Sequence, residues 1–276
     1  MSKLSGEDII YHYIQKYLPE KDEILANKLI ENMLSDLSIW IPIEVYEKIP
    51  IILPYVVRDS NCRKSVGGVE AWGSANENGF FRDDNSLIKG IIRSFQINSN
   101  KIREYNNKKI KIAFTASHIW RIINNNENAT GNYKYNSFIP NLVWLPKQVA
   151  KLTDREGSYA QKFLQHLSIQ IYKDVKMPYE IKELWNSLPY PDEFKNHKVE
   201  LGNLNFFKID NKWTEHRISG LKSEIQKILS LGDRYNQSLG KIKSRRYLPT
   251  LTEIPVKDRN KLKEWLQTYR NILENN

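Results

Sequence analysis

Apolar residues recur at helical spacing in several parts of the chain, and each part predicts an amphipathic helix. The first covers residues 9–17 and ends before Pro19, and the second covers residues 24–37. A third, long helix follows Gly157 and carries apolar positions from Tyr159 to Tyr172. We interpret the first two as packing helices without chemistry of their own.

Other segments have the pattern of extended chain. Lysine and isoleucine alternate in residues 109–115, which predicts a strand, and residues 138–145 and 201–209 predict two more. Pro146 can open a helix at its first position. The apolar run 49–57 is broken by prolines and predicts a buried strand or connector. Residues 61–90 are polar and glycine-rich, which indicates loops with little regular structure.

Composition narrows the class of protein. The chain has 276 residues, enough for one large domain or two modest ones, and no run approaches the roughly 20 apolar residues of a membrane span. The N-terminus lacks the apolar centre of a secretion signal. Cys62 is the only cysteine, so an internal disulfide or a cysteine-based zinc site is excluded. We expect a cytoplasmic protein without a membrane partner.

The net charge of +10 favours a polyanionic partner, and we expect this partner to be double-stranded DNA. Six of the ten excess charges fall in residues 213–276, where two basic helices are predicted over 215–239 and 256–272. A lysine-rich composition alone could also produce such an excess. The densest basic cluster is predicted to grip phosphates or to form a solvated helix end, and its cations are Lys241, Lys243, Arg245 and Arg246.

One constellation carries candidate chemistry. The first predicted strand leads into Ala116-Ser117-His118-Ile119, and Asn141 begins an Asn-Leu-Val-Trp-Leu-Pro element 23 residues after His118. Asp154 and Arg155 follow the helix that Pro146 opens. These elements resemble those of the HNH nucleases, the ββα-metal finger family. The resemblance covers residues 109–157, under a fifth of the chain.

The resemblance implies a metal-dependent phosphodiester hydrolase. His118 would be the general base that takes a proton from the attacking water, and Asn141 would orient His118 and shape the loop. Mg²⁺ or another divalent cation would bridge the scissile phosphate and the leaving oxygen. A neutral imidazole can accept a proton near neutral pH, and a cation offsets the phosphate charge.

The sequence departs from the family pattern at the helix. The third signature position falls at Val149 or Ala150, and neither side chain binds a metal. The remaining metal-ligand candidates are carboxylates, namely Asp154, Glu156, and the pair Asp83 and Asp84. For the adjacent pair, a helix start at residues 84–85 is the favoured interpretation, with a side chain accepting a backbone N–H.

Two other interpretations stay open, one for the role of His118 and one for the position of a nuclease site. His118 alone could be a structural histidine at a strand end. A rival nuclease pattern, Glu180-Ile181-Lys182, lies in a predicted helix where that chemistry seldom occurs. The chain has no glycine-rich phosphate loop ending in Gly-Lys-Ser or Gly-Lys-Thr, so a nucleotide hydrolase is disfavoured.

We therefore predict an α+β fold, a predominantly helical scaffold with a small ββα-metal-like module. The predicted regions are a helical one over 1–60, an HNH-like catalytic one over 61–160 and a basic helical one over 161–276, within what could be one continuous domain. The predicted function is that of a metal-dependent DNA endonuclease, plausibly a type II restriction enzyme, and a homodimer is left open.

Two alternatives are kept. One is a non-catalytic nucleic-acid-binding protein with a degenerate nuclease module, and the other is a structural or interaction protein. On the first hypothesis we expect His118→Ala to abolish cleavage with little change in DNA affinity or thermal stability.

Overall fold

The computed structural model describes residues 16, 23–62, 76, 78–230 and 259–275. The fold is α+β, with a mixed five-stranded sheet and helices around it. The strands are β1 (Ile39–Trp40), β2 (Val56–Arg58), β3 (Phe81–Asp83), β4 (Gln96–Asn98), β5 (Phe114–His118), β6 (Ile122–Ile123), β7 (Glu127–Asn128), β8 (Leu142–Pro146) and β9 (Asn205–Lys208).

Helices of very different length surround the sheet. They are α1 (Glu23–Leu37), α2 (Ile43–Lys48), α3 (Ser86–Ile91), α4 (Lys147–Ala150), α5 (Tyr159–Tyr172), α6 (Tyr179–Asn186), α7 (Asn211–Ser230) and α8 (Arg259–Asn275). Short 3₁₀ turns cover Asn124–Asn126, Ala129–Gly131, Ile139–Asn141, Lys151–Thr153, Asp192–Phe194 and Leu201–Asn203. Within the described residues, no helix has the length and apolarity needed to cross a membrane.

The five-stranded sheet has the order β4-β9-β1-β8-β5. Strand β1 runs parallel to β9 and antiparallel to β8, while β4–β9 and β5–β8 are antiparallel pairs. Strands β2 and β3 form a separate parallel pair, and β6 and β7 a short antiparallel one. Because β1, β8 and β9 come from the three regions predicted from the sequence, all three regions contribute strands to one sheet.

Large aromatic side chains fill the core on which the sheet lies. Trp40, Trp120 and Trp144 are completely or almost completely buried. The Trp144 ring packs edge-on against Phe207 of the neighbouring part of the sheet, with ring centres 5.5 Å apart. The buried apolar residues form one cluster that reaches from α1 to α8, as expected for a single continuous core.

The predicted helix from Tyr159 to Tyr172 is confirmed as α5. Its N-cap is Ser158, whose hydroxyl oxygen accepts a hydrogen bond from the Gln161 N–H at 3.2 Å. The side chains of Phe163 and Leu167, four residues apart, are both buried. Helix α5 is therefore held by burial of its apolar face as well as by its cap.

The strand predicted over 109–115 is wrong at its beginning, because β5 starts only at Phe114. Ala113 has a φ of 64°, which interrupts the extended chain, and Ile112 is 92% exposed. The alternation of lysine and isoleucine thus does not mark a buried sheet face. The predicted run 201–209 is likewise shorter as a strand, since its first residues form a 3₁₀ turn before β9.

Three further predictions concern segments of which the structure describes only part: the N-terminal helices, the loop region 61–90 and the C-terminal helices. Of the helix predicted over 9–17, only residue 16 is among the described residues, whereas α1 confirms the helix predicted over 24–37. Within the predicted loop region 61–90, the described residues include β3 and α3. The two C-terminal helices are present as α7 and α8, and residues 231–258 between them lie outside the description.

Candidate active site

A strand–strand–helix unit forms one edge of the sheet. Strands β5 and β8 pair antiparallel over their full length, from Phe114 opposite Pro146 to His118 opposite Leu142. Helix α4 begins directly after β8, at Lys147. The order strand, long loop, strand and helix is the one that the sequence predicted for the candidate module.

His118 is the last residue of β5 and is only 7% exposed. Its Nε2 atom lies 2.8 Å from the backbone oxygen of Asn136 in the loop between the two strands. A carbonyl oxygen can only accept a hydrogen bond, so Nε2 must carry the proton. The neutral ring then has its lone pair on Nδ1, the nitrogen able to accept a proton.

The surroundings of His118 keep its ring neutral. Burial is the largest cause that lowers the pKa of His118, to about 4, and the nearby positive charge of Arg58 adds to this effect. The hydrogen bond to Asn136 acts in the opposite direction and is outweighed. At neutral pH the imidazole is therefore an unprotonated potential base.

The Asn141 side chain forms hydrogen bonds with the beginning and with the later part of the loop that connects β5 to β8. It is completely buried, and its Oδ1 accepts a hydrogen bond from the Trp120 N–H at 2.7 Å. Its Nδ2 donates to the backbone oxygen of Tyr135 at 3.1 Å. Tyr135 precedes Asn136, whose backbone oxygen accepts the hydrogen bond from His118 Nε2, so Asn141 positions His118 through the loop.

An open cleft with a volume of 270 Å³ lies at this end of β5. Among the described residues, five cations and one carboxylate line it together with His118. Small or neutral residues complete the wall, among them Thr115, Ala116 and Ser117 from β5. The cleft is thus strongly positive, and the histidine that could serve as a base forms part of its wall.

The five cations of this cationic cleft come from separate parts of the chain. They are Arg58 at the end of β2, Lys89 in α3, Arg121 after β5, Lys147 at the start of α4 and Lys151 after α4. Hydrogen bonds join these parts. The Asn136 side chain donates to the Val56 oxygen at 3.1 Å, and the Asn85 side chain donates to the Ala116 oxygen at 3.1 Å.

Asp154, predicted as a metal ligand, is the one carboxylate among the described residues that line the cleft, and it is engaged in ion pairs. Its Oδ2 lies 2.8 Å from the Lys151 ammonium, and its Oδ1 lies 3.2 Å from the Arg121 guanidinium. The same guanidinium also donates to the backbone oxygen of Thr153. These contacts indicate that Asp154 orients Arg121.

Asp83 and Asp84 lie at the beginning of α3 and accept hydrogen bonds there. The buried Asp83 carboxylate accepts from the Ser86 hydroxyl at 3.0 Å and from the Leu87 N–H at 3.2 Å. Asp84 accepts from the Ser86 N–H at 3.1 Å. The favoured helix-start interpretation agrees with these contacts, although the cap residue itself is Asn85, in a left-handed conformation with a φ of 76°.

These donors do not fit a resident divalent cation. Across the part of the chain that the structure describes, no group of three or more His, Cys, Asp and Glu residues could hold a metal ion. Val149 and Ala150 are buried at the helical position where the family has its ligand. Five cations around one ion-paired carboxylate would also repel Mg²⁺.

No protein-family model, curated protein or solved structure matches the chain. The resemblance to HNH nucleases therefore depends on the residues around His118 and Asn141 alone.

Sequence reasoning missed the cations of the cleft. Lys147, which follows Pro146, and Arg121, three residues after His118, could have been suspected from their closeness to the motif. Arg58 and Lys89 carry no such signal, because only the packing of β2 and α3 brings them to β5. The basic cluster predicted to bind phosphates lies outside the described residues; it comprises Lys241, Lys243, Arg245 and Arg246.

Proposed function

We propose that the chain is a DNA endonuclease in which His118 is the general base. The observation that carries this proposal is a neutral histidine, with its lone pair on Nδ1, in the wall of a cleft lined by five cations. Cations in a partly enclosed cleft attract a phosphate backbone, and a buried neutral imidazole can activate water. The net charge of +10 agrees with a DNA partner.

In the proposed reaction, His118 Nδ1 takes a proton from a water molecule whose oxygen attacks phosphorus. The bond from phosphorus to the leaving sugar oxygen breaks, and that oxygen takes up a proton from solvent. The cleft cations offset the negative charge that grows on the phosphoryl oxygens in the transition state. Arg121 is held for this purpose by Asp154.

Three finer features belong to the same proposal. These are action as a type II restriction enzyme, a cytoplasmic location and a homodimer, and all three come from the sequence hypothesis. Mg²⁺ comes from the same sequence hypothesis, and nicking in Mg²⁺ compared with nicking in EDTA tests whether cleavage depends on it.

Two structural observations favour the alternative, a nucleic-acid-binding protein without catalysis. Val149 and Ala150 are buried where the family has a metal ligand, and Asp154 is already paired with cations. A cleft with these properties could hold a phosphate without hydrolysing it. This alternative predicts salt-dependent DNA binding and no strand breakage.

A plasmid-nicking assay combined with a gel-shift titration separates the two functions. We expect the wild-type protein to nick supercoiled DNA and His118→Gln to bind DNA equally well without nicking it. His216→Gln is the matched control, because His216 is exposed on α7 and does not line the cleft. DNA binding without nicking, in Mg²⁺ and in EDTA alike, would favour the alternative, and absence of binding would contradict both.

A further inference from the structure

The charges of the cationic cleft are not balanced evenly. Asp154 forms ion pairs with Arg121 and Lys151 on one side. On the other side lie Arg58, Lys89 and Lys147, and among the described residues no carboxylate oxygen is found within ion-pair distance of their nitrogens. This unpaired trio is the part of the cleft in which positive charge is least compensated.

The environment of Lys89 shows the same imbalance. Lys89 is half-buried, and burial lowers its pKa, with the positive charges of Arg58 and Lys147 acting in the same direction. Asp84 and Asp83 act in the opposite direction but are outweighed. Both carboxylates are also occupied at the start of α3. Cations gathered in this way cost stability unless an anion joins them.

The trio also has the geometry of an anion site. Arg58 ends β2 and lies opposite Asp83 of β3 in the strand register, and two residues before it the Val56 oxygen accepts a hydrogen bond from Asn136 of the loop after β5. Lys147 is the first residue of α4, and its N–H is bonded to the Ala113 oxygen at 2.8 Å. Rigid elements therefore hold a planar guanidinium and two ammonium groups around one space, next to His118.

We infer that Arg58, Lys89 and Lys147 bind the scissile phosphate and offset its charge, in the role that the HNH family gives to a divalent cation. The identity of the phosphate as a DNA diester rests on the proposed function, whereas the anion site itself does not. Binding of a phosphate group at the trio is then independent of Mg²⁺.

The test is the melting temperature in EDTA with increasing inorganic phosphate, at constant ionic strength. With phosphate at about ten times its dissociation constant, we expect the wild-type melting temperature to rise by about 2–4 °C. The variant Arg58→Gln/Lys89→Gln/Lys147→Gln should lose this response. In phosphate-free buffer it should melt at or above the wild-type temperature, because the repulsion is removed.

A matched control variant loses the same number of positive charges at positions outside the cleft. The variant Lys176→Gln/Lys182→Gln/Lys212→Gln removes three exposed lysines that do not line the cleft, and it should keep the wild-type phosphate response. An equal response in both triple variants, or a wild-type response that requires Mg²⁺, would overturn the inference. Phosphate binding by a protein that does not nick DNA would support the anion site and contradict the proposed nuclease, so the two failures are distinguishable.

Discussion

The Nε2–H group of His118 donates a hydrogen bond to the backbone oxygen of Asn136, with 2.8 Å between the nitrogen and the oxygen. This bond decides which ring nitrogen can act as a base, because the donor nitrogen cannot accept a proton. It also links the end of β5 to the loop that Asn141 holds closed. The candidate base is thus fixed by main-chain geometry, and its position depends on the fold of the loop.

The first prediction concerns stability and pH. His118 has a folded pKa of about 4, below its ordinary value of 6.5, so the unfolded chain binds a proton more readily. The contribution of His118 is fully present above pH 6.5 and is lost as the pH falls towards 4. We expect the difference in unfolding free energy between the wild type and His118→Gln to fall by about 3 kcal/mol over this window.

Urea denaturation of both proteins between pH 7.5 and 4 measures this difference. Other groups that titrate in this range, including the buried His166, are present in both proteins and cancel. A difference that does not change with pH would show that the His118 ring is not held neutral by the fold.

The second prediction concerns Asn141 as a positioning residue. Asn141→Ala removes the acceptor of the Trp120 N–H and the donor to the Tyr135 oxygen, both in a fully buried place. We expect a loss of about 2–4 kcal/mol in unfolding free energy, because two buried polar groups lose their partners. Cleavage should fall as well, since the loop that holds His118 loosens.

Asn141→Asp keeps the acceptor for Trp120 but buries an acidic group against the Tyr135 oxygen, which costs free energy while the carboxyl is ionised. It should melt below the wild type at neutral pH and recover part of the difference at low pH, where the protonated carboxyl can donate to that oxygen. Wild-type stability and cleavage in Asn141→Ala would contradict the role given to this side chain.

The sequence predicted the centre of the site better than its surroundings. His118 and Asn141 are near each other in the chain, and a strand–loop–strand pattern is enough to bring them together. Arg58 lies on β2, which contacts the loop after β5 through Asn136, and Lys89 lies on α3, whose cap residue Asn85 contacts Ala116, so tertiary packing decides their position. Local patterns contain no information about such contacts.

The burial of the His118 side chain was also not predicted from the sequence. The sequence hypothesis expected His118→Ala to leave thermal stability almost unchanged. A side chain that is 7% exposed and bonded to Asn136 leaves a cavity and an unpaired carbonyl when it is removed, so we now expect that variant to melt earlier. His118→Gln, whose amide can still donate, is therefore the variant used in the tests.

The third prediction separates two roles for Asp154. If Asp154 orients Arg121, Asp154→Asn should reduce the cleavage rate by less than about tenfold, because exposed ion pairs contribute up to about 1 kcal/mol. If Asp154 were instead a metal ligand, cleavage would require it, and Asp154→Asn would reduce the cleavage rate as much as His118→Gln does. Single-turnover rates in Mg²⁺ decide between these outcomes, and a loss as large as that of His118→Gln would restore Asp154 as a metal ligand.

The fourth prediction concerns the C-terminal basic cluster. Neutralising Lys243, Arg245 and Arg246 together should weaken binding to all DNA sequences alike and reduce its salt dependence, since phosphate contacts carry no sequence information. Fluorescence anisotropy with two unrelated duplexes at several salt concentrations measures this effect. Unchanged affinity would assign DNA binding to other surfaces, the cationic cleft first among them.

The most direct test of a neutral His118 base is the pH dependence of kcat/KM for DNA cleavage. Because this ratio reports the ionisation of the free protein, we expect it to stay level from pH 8 to about pH 5 and to fall near pH 4. His118→Gln should be about 10²–10⁴-fold slower than the wild type on the level part of the profile. Cleavage by His118→Gln at the wild-type rate, with the same pH profile, would contradict the account.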